Sequence, residues 1–279
     1  MENLENTKYN WTSFEGEKLF GQSWIPKQEV KAVINFVHGI GEHTDRYQEW
    51  MPFFTDAGFA VFAIEYRGHG RSFGKRGYIK NYDDILKDID VLLQESKAKY
   101  PDLAHFIYGH SLGGNIVSNY ILRRETSLKA AIITSPWFWL SKEPSAALMT
   151  VSKLLYKIAP GLTISSGLKT SDISQVKKVV EDYKKDELVH GKISLEMFFS
   201  AFNNGKWAVE NADKLTIPVL LAHGTADHIC SHKGSEAFYN KNPQKVHLKL
   251  WEDMYHELHN ETIREEHAAY IINWIKENI

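Results

Sequence analysis

Short apolar runs recur along the chain, each closed by glycine or polar punctuation, with segments of helical spacing between them. The first is Ala32–Val37 (AVINFV), ended by His38-Gly39. Others cover 60–64, ahead of Tyr66-Arg67-Gly68-His69-Gly70, then 105–108, ended by Gly109, then 130–133, 218–222 and 245–251. Runs this short predict strands buried on both faces, and residues 82–100, 115–124 and 261–279 carry the helical pattern between and after them. Pro101 stops the first of these helices. The alternation predicts an α/β chain, a mostly parallel central sheet flanked by helices. In the last run Val246, Leu248 and Leu250 alternate with His247 and Lys249, so this strand should have one wet face and lie near an edge. The rhythm breaks over 140–212, where Pro144, Pro160, Gly161, Gly167 and Gly191 punctuate a helical and loop-like stretch with no strand pattern. Since both flanks are needed to finish the sheet, this stretch reads as a helical cap (140–212) inserted into one core domain (1–139 and 213–279).

Composition narrows the class. The 279 residues are 43% hydrophobic and 24% charged, the balance of a globular protein with a sizeable core. Thirty-three Lys+Arg against 35 Asp+Glu leave a net charge of −2, which supplies no basic field for nucleic acid. The single cysteine, Cys230, excludes an intramolecular disulfide framework and suits a reducing compartment. No secretory signal pattern and no 18-residue apolar window is visible, so the expectation is a soluble, cytoplasmic protein.

Chemistry concentrates in Gly109-His110-Ser111-Leu112-Gly113, which follows an apolar strand and precedes a helical segment. In G-x-S-x-G the serine sits on a strained strand-to-helix turn that exposes its hydroxyl, and the flanking glycines relieve backbone crowding. Serine at its free pKa needs a histidine base oriented by a carboxylate. Asp227 follows the 218–222 strand and His256 follows the 245–251 strand, which puts both at strand carboxyl ends, the edge that carries Ser111. Asp253 and His259 compete for the acid and base roles. Backbone N–H groups of Ile40, in His38-Gly39-Ile40-Gly41, and of Leu112 are the candidate oxyanion donors. The two histidines of His256-Glu257-Leu258-His259 are three apart, not the H-E-x-x-H zinc spacing, and no metal set is evident. Two sequons, at Asn10 and Asn260, read as coincidence without a signal peptide. Residues 146–158 form an amphipathic segment that either packs the cap onto the sheet or touches lipid at the mouth of the site. Trp137-Phe138-Trp139, entering the cap, either line a tunnel or anchor the cap.

Taken together, His38-Gly39-Ile40-Gly41-Glu42-His43, Arg46-Tyr47, Arg67-Gly68-His69-Gly70-Arg71-Ser72, Gly109 to Gly114, Gly224-Thr225-Ala226-Asp227 and His256 to His259 resemble the α/β-hydrolases of the monoacylglycerol lipase and lysophospholipase-like branch, over roughly residues 10 to 279. The resemblance implies a serine hydrolase that cleaves monoacylglycerols through an acyl-enzyme, with a mobile lipophilic cap and no cofactor. It places Ser111 as nucleophile, His256 as base and Asp227 as its orienting acid. It also implies a head-group site at Glu42, Arg46 and His259, and a thiol beside the site at Cys230. Glu65 departs from the Asp common before the Tyr-Arg-Gly turn. Lysophospholipase, general carboxylesterase and prolyl-type aminopeptidase activities share this scaffold. A non-catalytic binding protein is disfavoured, since all three triad candidates are present. The implied partner is a lipid ester, with transient contact of the cap at a membrane surface.

Overall fold

A computed structural model describes residues 4–279. Residues 1–3, assigned to the core by the sequence, lie outside the described residues. The elements run β1 (Leu4–Thr12), β2 (Lys18–Pro26), β3 (Ala32–Val37), α1 (Met51–Asp56), β4 (Phe59–Glu65), α2 (Tyr82–Lys99), β5 (Ala104–His110), α3 (Leu112–Arg123), β6 (Ala130–Thr134), α4 (Ala146–Ile158), β7 (Thr163–Ser165), α5 (Lys177–Lys185), β8 (Lys192–Ser194), α6 (Leu195–Glu210), β9 (Val219–Gly224), α7 (His232–Lys241), β10 (Val246–Trp251) and α8 (Arg264–Glu277).

Eight strands form one sheet in the order β1-β2-β4-β3-β5-β6-β9-β10. From β4 to β10 the neighbours are parallel, while β2 pairs antiparallel with both β1 and β4. Period-2 alternation divides the strand residues between two cores. Val33, Val37, Ile107, Ile133 and Leu221 face the side of α2, α3 and α6, and Ile34, Phe36, Phe106, Tyr108, Ile132 and Leu220 face the side of α1 and α8. Burial on both sides is why these strands are continuous apolar runs. The edge expectation for 245–251 agrees with β10, the last strand, where His247 is exposed between buried or half-buried neighbours.

The antiparallel β1–β2 hairpin has no counterpart in the apolar-run pattern. β1 is a polar edge strand, and β2 buries Gln22 and Ser23 among its apolar residues. Both are satisfied from outside the strand. Gln22 donates to Asn6 at 3.0 Å and accepts from Thr44 at 2.6 Å, and Ser23 bonds to the Tyr9 hydroxyl at 3.0 Å. Residues 140–212 do contain strand, contrary to the sequence pattern. β7 and β8 pair antiparallel over three residues each, too short for periodicity to register.

The register brings the site together. Val37 lies opposite Gly109, His110 opposite Thr134, Thr134 opposite Ala222, and Gly224 opposite Trp251. The segments carrying Ile40, Ser111, Asp227 and His256 therefore leave the sheet at one edge. Above that edge runs the chain from α4 to α6. α6 is rooted on α3, where Asn115 and Asn119 donate to the carbonyls of Ala201 and Asn204 at 2.9 and 3.1 Å.

Candidate active site

Ser111 sits between β5 and α3 with φ 56° and ψ −117°, a left-handed conformation that a non-glycine residue adopts under strain. Close backbone approach explains the glycines around it. A Cβ on Gly113 would fall 2.1 Å from the Val37 carbonyl, and one on Gly109 would fall 2.3 Å from that of Gly113. The turn is held by Ser111 N–H donating to Thr134 O at 2.9 Å and by Trp137 N–H donating to Ser111 O at 3.0 Å.

His256 Nε2 lies 2.9 Å from Ser111 Oγ, and His256 Nδ1 lies 2.7 Å from Asp227 Oδ2. A carboxylate can only accept, so Nδ1 carries the proton and Nε2 is free to accept from the serine. Burial by itself would lower the His256 pKa, but the Asp227 charge against its ring outweighs burial and holds it above the ordinary 6.5. Asp227 is buried, which alone would raise its pKa. The His256 charge and hydrogen bonds from His223 and His256 instead hold its carboxyl well below the usual range. Its other oxygen, Oδ1, accepts the N–H groups of Ile229 and Cys230 at 2.7 and 2.9 Å. Ser135, in a left-handed conformation just beyond β6, donates its hydroxyl to the His256 carbonyl at 2.7 Å and so braces the histidine loop. The competing residues are elsewhere. Asp253 is exposed in the turn after β10, and His259 is stacked on Tyr47 at 4.8 Å between ring centroids.

Ile40 N–H has no acceptor among the described residues, and Leu112 opens α3, where a first-turn N–H has no intrahelical partner. Both donors are thus uncommitted. Glu42 braces the Ile40 loop, with Oε2 accepting from Gly39 N–H at 2.8 Å and from the Tyr47 hydroxyl at 2.7 Å.

Arg46 also contacts Glu42, but its guanidinium is held mainly by Glu257, which accepts from Nη1 and Nη2 at 2.8 and 2.9 Å. Sequence reasoning did not single out Glu257. Its only signal was its place beside His256. His259 is fully enclosed and neutral, its pKa pushed down to about 3 by burial, and its Nε2 has no protein partner. Cys230 lies against Asp227, and burial pushes its thiol well above the ordinary value, which disfavours the reactive thiolate.

A cavity of about 420 Å³ opens from Ser111, walled by Ile40, Trp137, Leu140, Ile193, Phe198 and Cys230, with Lys142, Glu143 and Lys169 along it. On the other side of Ser111, between Glu42, His110, Tyr183 and Glu257, the free space is about 10 Å³. A larger cleft of about 600 Å³, bounded by Arg46 and Tyr183, does not have Ser111 in its walls. The site is therefore asymmetric, with a long greasy side and a small polar side. Among the described residues no three His, Cys, Asp or Glu side chains are grouped to hold a metal.

Residues 173–190 tie down over this polar side. Ile173 O accepts from Glu257 N–H at 2.8 Å, Tyr183 covers the Arg46 guanidinium at 4.6 Å, and Asp186 bonds to His43 at 2.7 Å. His190 N–H donates to Gly41 O at 3.0 Å. α4 differs. None of its residues is buried, and Leu148, Val151, Leu154, Leu155 and Ile158 are all exposed, the last at 83%.

A family profile described as serine aminopeptidase, S33, matches residues 28–263. An uncharacterized abhydrolase domain-containing protein of Dictyostelium discoideum is 38% identical over 97% of the chain, which spans only 29% of that relative's length. The monoacylglycerol lipase of Mycolicibacterium smegmatis is 30% identical over 99% of both chains. The crystal structure of the Paleococcus ferrophilus monoacylglycerol lipase superposes with a TM-score of 0.82 at 30% identity, over 99% of each chain. With its parallel sheet, strained serine turn and strand-end histidine and aspartate, the chain belongs to the α/β-hydrolase family, in its monoacylglycerol lipase-like branch.

Proposed function

We propose that the protein is a serine ester hydrolase that cleaves monoacylglycerols to fatty acid and glycerol. The observation that carries this reading is the Ser111 hydroxyl, 2.9 Å from His256 Nε2, at the base of the 420 Å³ apolar-walled cavity. In this reading Ser111 Oγ attacks the ester carbonyl as its proton passes to His256 Nε2, and Asp227 stabilises the resulting imidazolium. The oxyanion gathers the N–H groups of Ile40 and Leu112. His256 returns the proton to the departing glycerol oxygen, and water, deprotonated by the same nitrogen, releases the fatty acid from Ser111. The acyl chain occupies the apolar cavity. The glycerol lies toward the small polar side, where Glu42, Arg46 and His259 border it and Glu257 holds Arg46 in place. Cys230 is a wall of the acyl cavity.

Residues 140–212 act as the cap on a core of 1–139 and 213–279, with α6 as its foot on α3. The exposed apolar residues of α4 and the similarity to lipases support a peripheral enzyme whose cap touches the lipid surface, and the single cysteine suits a cytoplasmic one. No helix among the described residues is long and apolar enough to cross a membrane.

The test is fluorophosphonate labelling followed by turnover of monoacylglycerols, lysophospholipids, short esters and aminoacyl amides, with lipids presented in vesicles. Labelling at Ser111 and the highest kcat/KM on a monoacylglycerol are expected. An unlabelled protein, or a preference for aminoacyl amides, overturns the proposal. Leu154→Glu with Ile158→Glu should weaken vesicle co-sedimentation while leaving soluble-ester turnover intact, and unchanged co-sedimentation removes the membrane contact.

A further inference from the structure

β9 alternates its side chains between the two faces of the sheet, and Val219 and Leu221 lie in the core on the α7 side. His223 continues that face at the last turn of the strand, four residues before Asp227, and it is completely buried. Its Nε2 lies 3.0 Å from Asp227 Oδ2 and 3.2 Å from the Cys230 carbonyl oxygen. Both neighbours are acceptors, so Nε2 must carry a proton. Its Nδ1 lies 2.7 Å from the hydroxyl of Ser235, itself buried in α7, and in the neutral ring this nitrogen accepts that O–H. The acceptors at Nε2 fix the direction of the bond that matters to the site: His223 N–H donates to Asp227 Oδ2, and the His256 N–H donates to the same oxygen.

We infer that His223 is a positioning residue for ester hydrolysis, clamping Asp227 Oδ2 so that the carboxylate stays aimed at His256. The inference rests on the serine-hydrolase reading above. With Oδ1 held by two backbone amides and Oδ2 held by two imidazoles, the carboxylate cannot rotate about its own axis. Without His223, Oδ2 keeps only the mobile base. A triad that loses alignment loses rate in the chemical step more than in binding. The donated N–H also withdraws charge from Oδ2, so removing it leaves a more basic carboxylate and raises the His256 pKa. The other ionisable neighbours stay constant in such a test. These are Glu257, Arg46, His110 and His259 around His256, Cys230 beside Asp227, and the His232 ring 6.5 Å from His223.

The experiment compares wild type, His223→Leu and His223→Gln on a soluble nitrophenyl ester, with fluorophosphonate labelling rates as a second readout. His223→Leu should lower kcat about ten- to a hundredfold at nearly constant KM and move the acid limb of kcat/KM to higher pH. Glutamine's amide presents a donor group and an acceptor group in place of the two ring nitrogens, so His223→Gln should recover most of the rate. A wild type that neither labels at Ser111 nor turns over ester overturns the hydrolase reading itself. A labelling wild type beside a His223→Leu protein of equal rate and equal pH midpoint overturns the role of His223 alone. A loss of rate with an unmoved acid limb and no rescue by glutamine assigns His223 to packing and also overturns it. Should His223→Leu fail to fold, Ser235→Ala decides the matter with less change in bulk. It should shift the acid limb in the same direction and reduce kcat roughly two- to tenfold, and an unchanged profile overturns the clamp.

Discussion

Arg46 and Glu257, 211 residues apart, meet through two parallel hydrogen bonds of 2.8 and 2.9 Å in a largely buried site at the wall of the 600 Å³ cleft. Burial alone would raise the Glu257 carboxyl, and the Arg46 guanidinium overrides it and holds the group ionised well below the usual range. Because the pair joins the segment after the Ile40 loop to the loop of His256, its loss should disturb both. Arg46→Met leaves a buried, unpaired carboxylate and should cost about 3–5 kcal/mol of stability, with part of the loss recovered in Arg46→Met, Glu257→Leu. Denaturant unfolding measures both. A single variant as stable as wild type would show that the pair is not enclosed in solution.

Ser111→Ala and His256→Ala should each lower kcat by roughly three orders of magnitude or more, since triad members act as a unit. Asp227→Asn should fold and yet lose about 10⁴-fold, because the amide can donate to His256 Nδ1 and favours the wrong tautomer. Near-wild-type turnover by any of the three, measured alongside circular dichroism, would reassign the site.

Two pH effects of opposite sign act in different windows. The His256 pKa is raised by Asp227, so kcat/KM should climb with pH through a midpoint above 6.5. The stability from this charged histidine is fully present below its unfolded value and fades as pH rises through its folded one. His38, His259 and His267 are each pushed down to about 3 by burial. Their contribution is present above about 6.5, the unfolded value, and is lost as pH falls toward 3. Below pH 6.5 the His256 contribution is constant, so the buried histidines, to which His69 and His110 add in the same direction, set the slope and the urea midpoint should fall steadily. His267 has no protein partner at either nitrogen and is stacked on Trp50, so His267→Phe should flatten that fall. A profile no flatter than wild type removes His267 from the account.

A head-group role for His259 predicts a substrate-dependent defect. His259→Ala should lower kcat/KM roughly tenfold or more on a monoacylglycerol and far less on a nitrophenyl ester of the same acyl chain. Equal losses on both substrates would assign His259 to its stacking on Tyr47.

Cys230 should resist polar alkylating reagents in the native state, because burial withholds both access and thiolate. Iodoacetamide at pH 8 should modify it only once the protein is unfolded, as read by intact mass. Rapid native modification would mean the cavity wall opens.

Local signals were enough to read the parallel strands, since a strand buried on both faces must be apolar whatever its neighbours, and enough to read Ser111, since a strained turn demands small residues beside it. The order of serine, aspartate and histidine along the chain was legible for the same reason: each follows its own apolar strand. Strands β1 and β2 were not legible, because their polar residues are satisfied by partners such as Thr44 that the fold brings to them. Asp227 and His256 were legible ahead of Asp253 and His259, but the contact that joins His256 to Ser111 across 145 residues of chain belongs to the tertiary structure alone. Glu257 and His223 stood in plain view beside the motif residues. Their parts in the site follow from Arg46 and Ser235, which only the closing of the sheet and its flanking segments carries to within hydrogen-bonding distance.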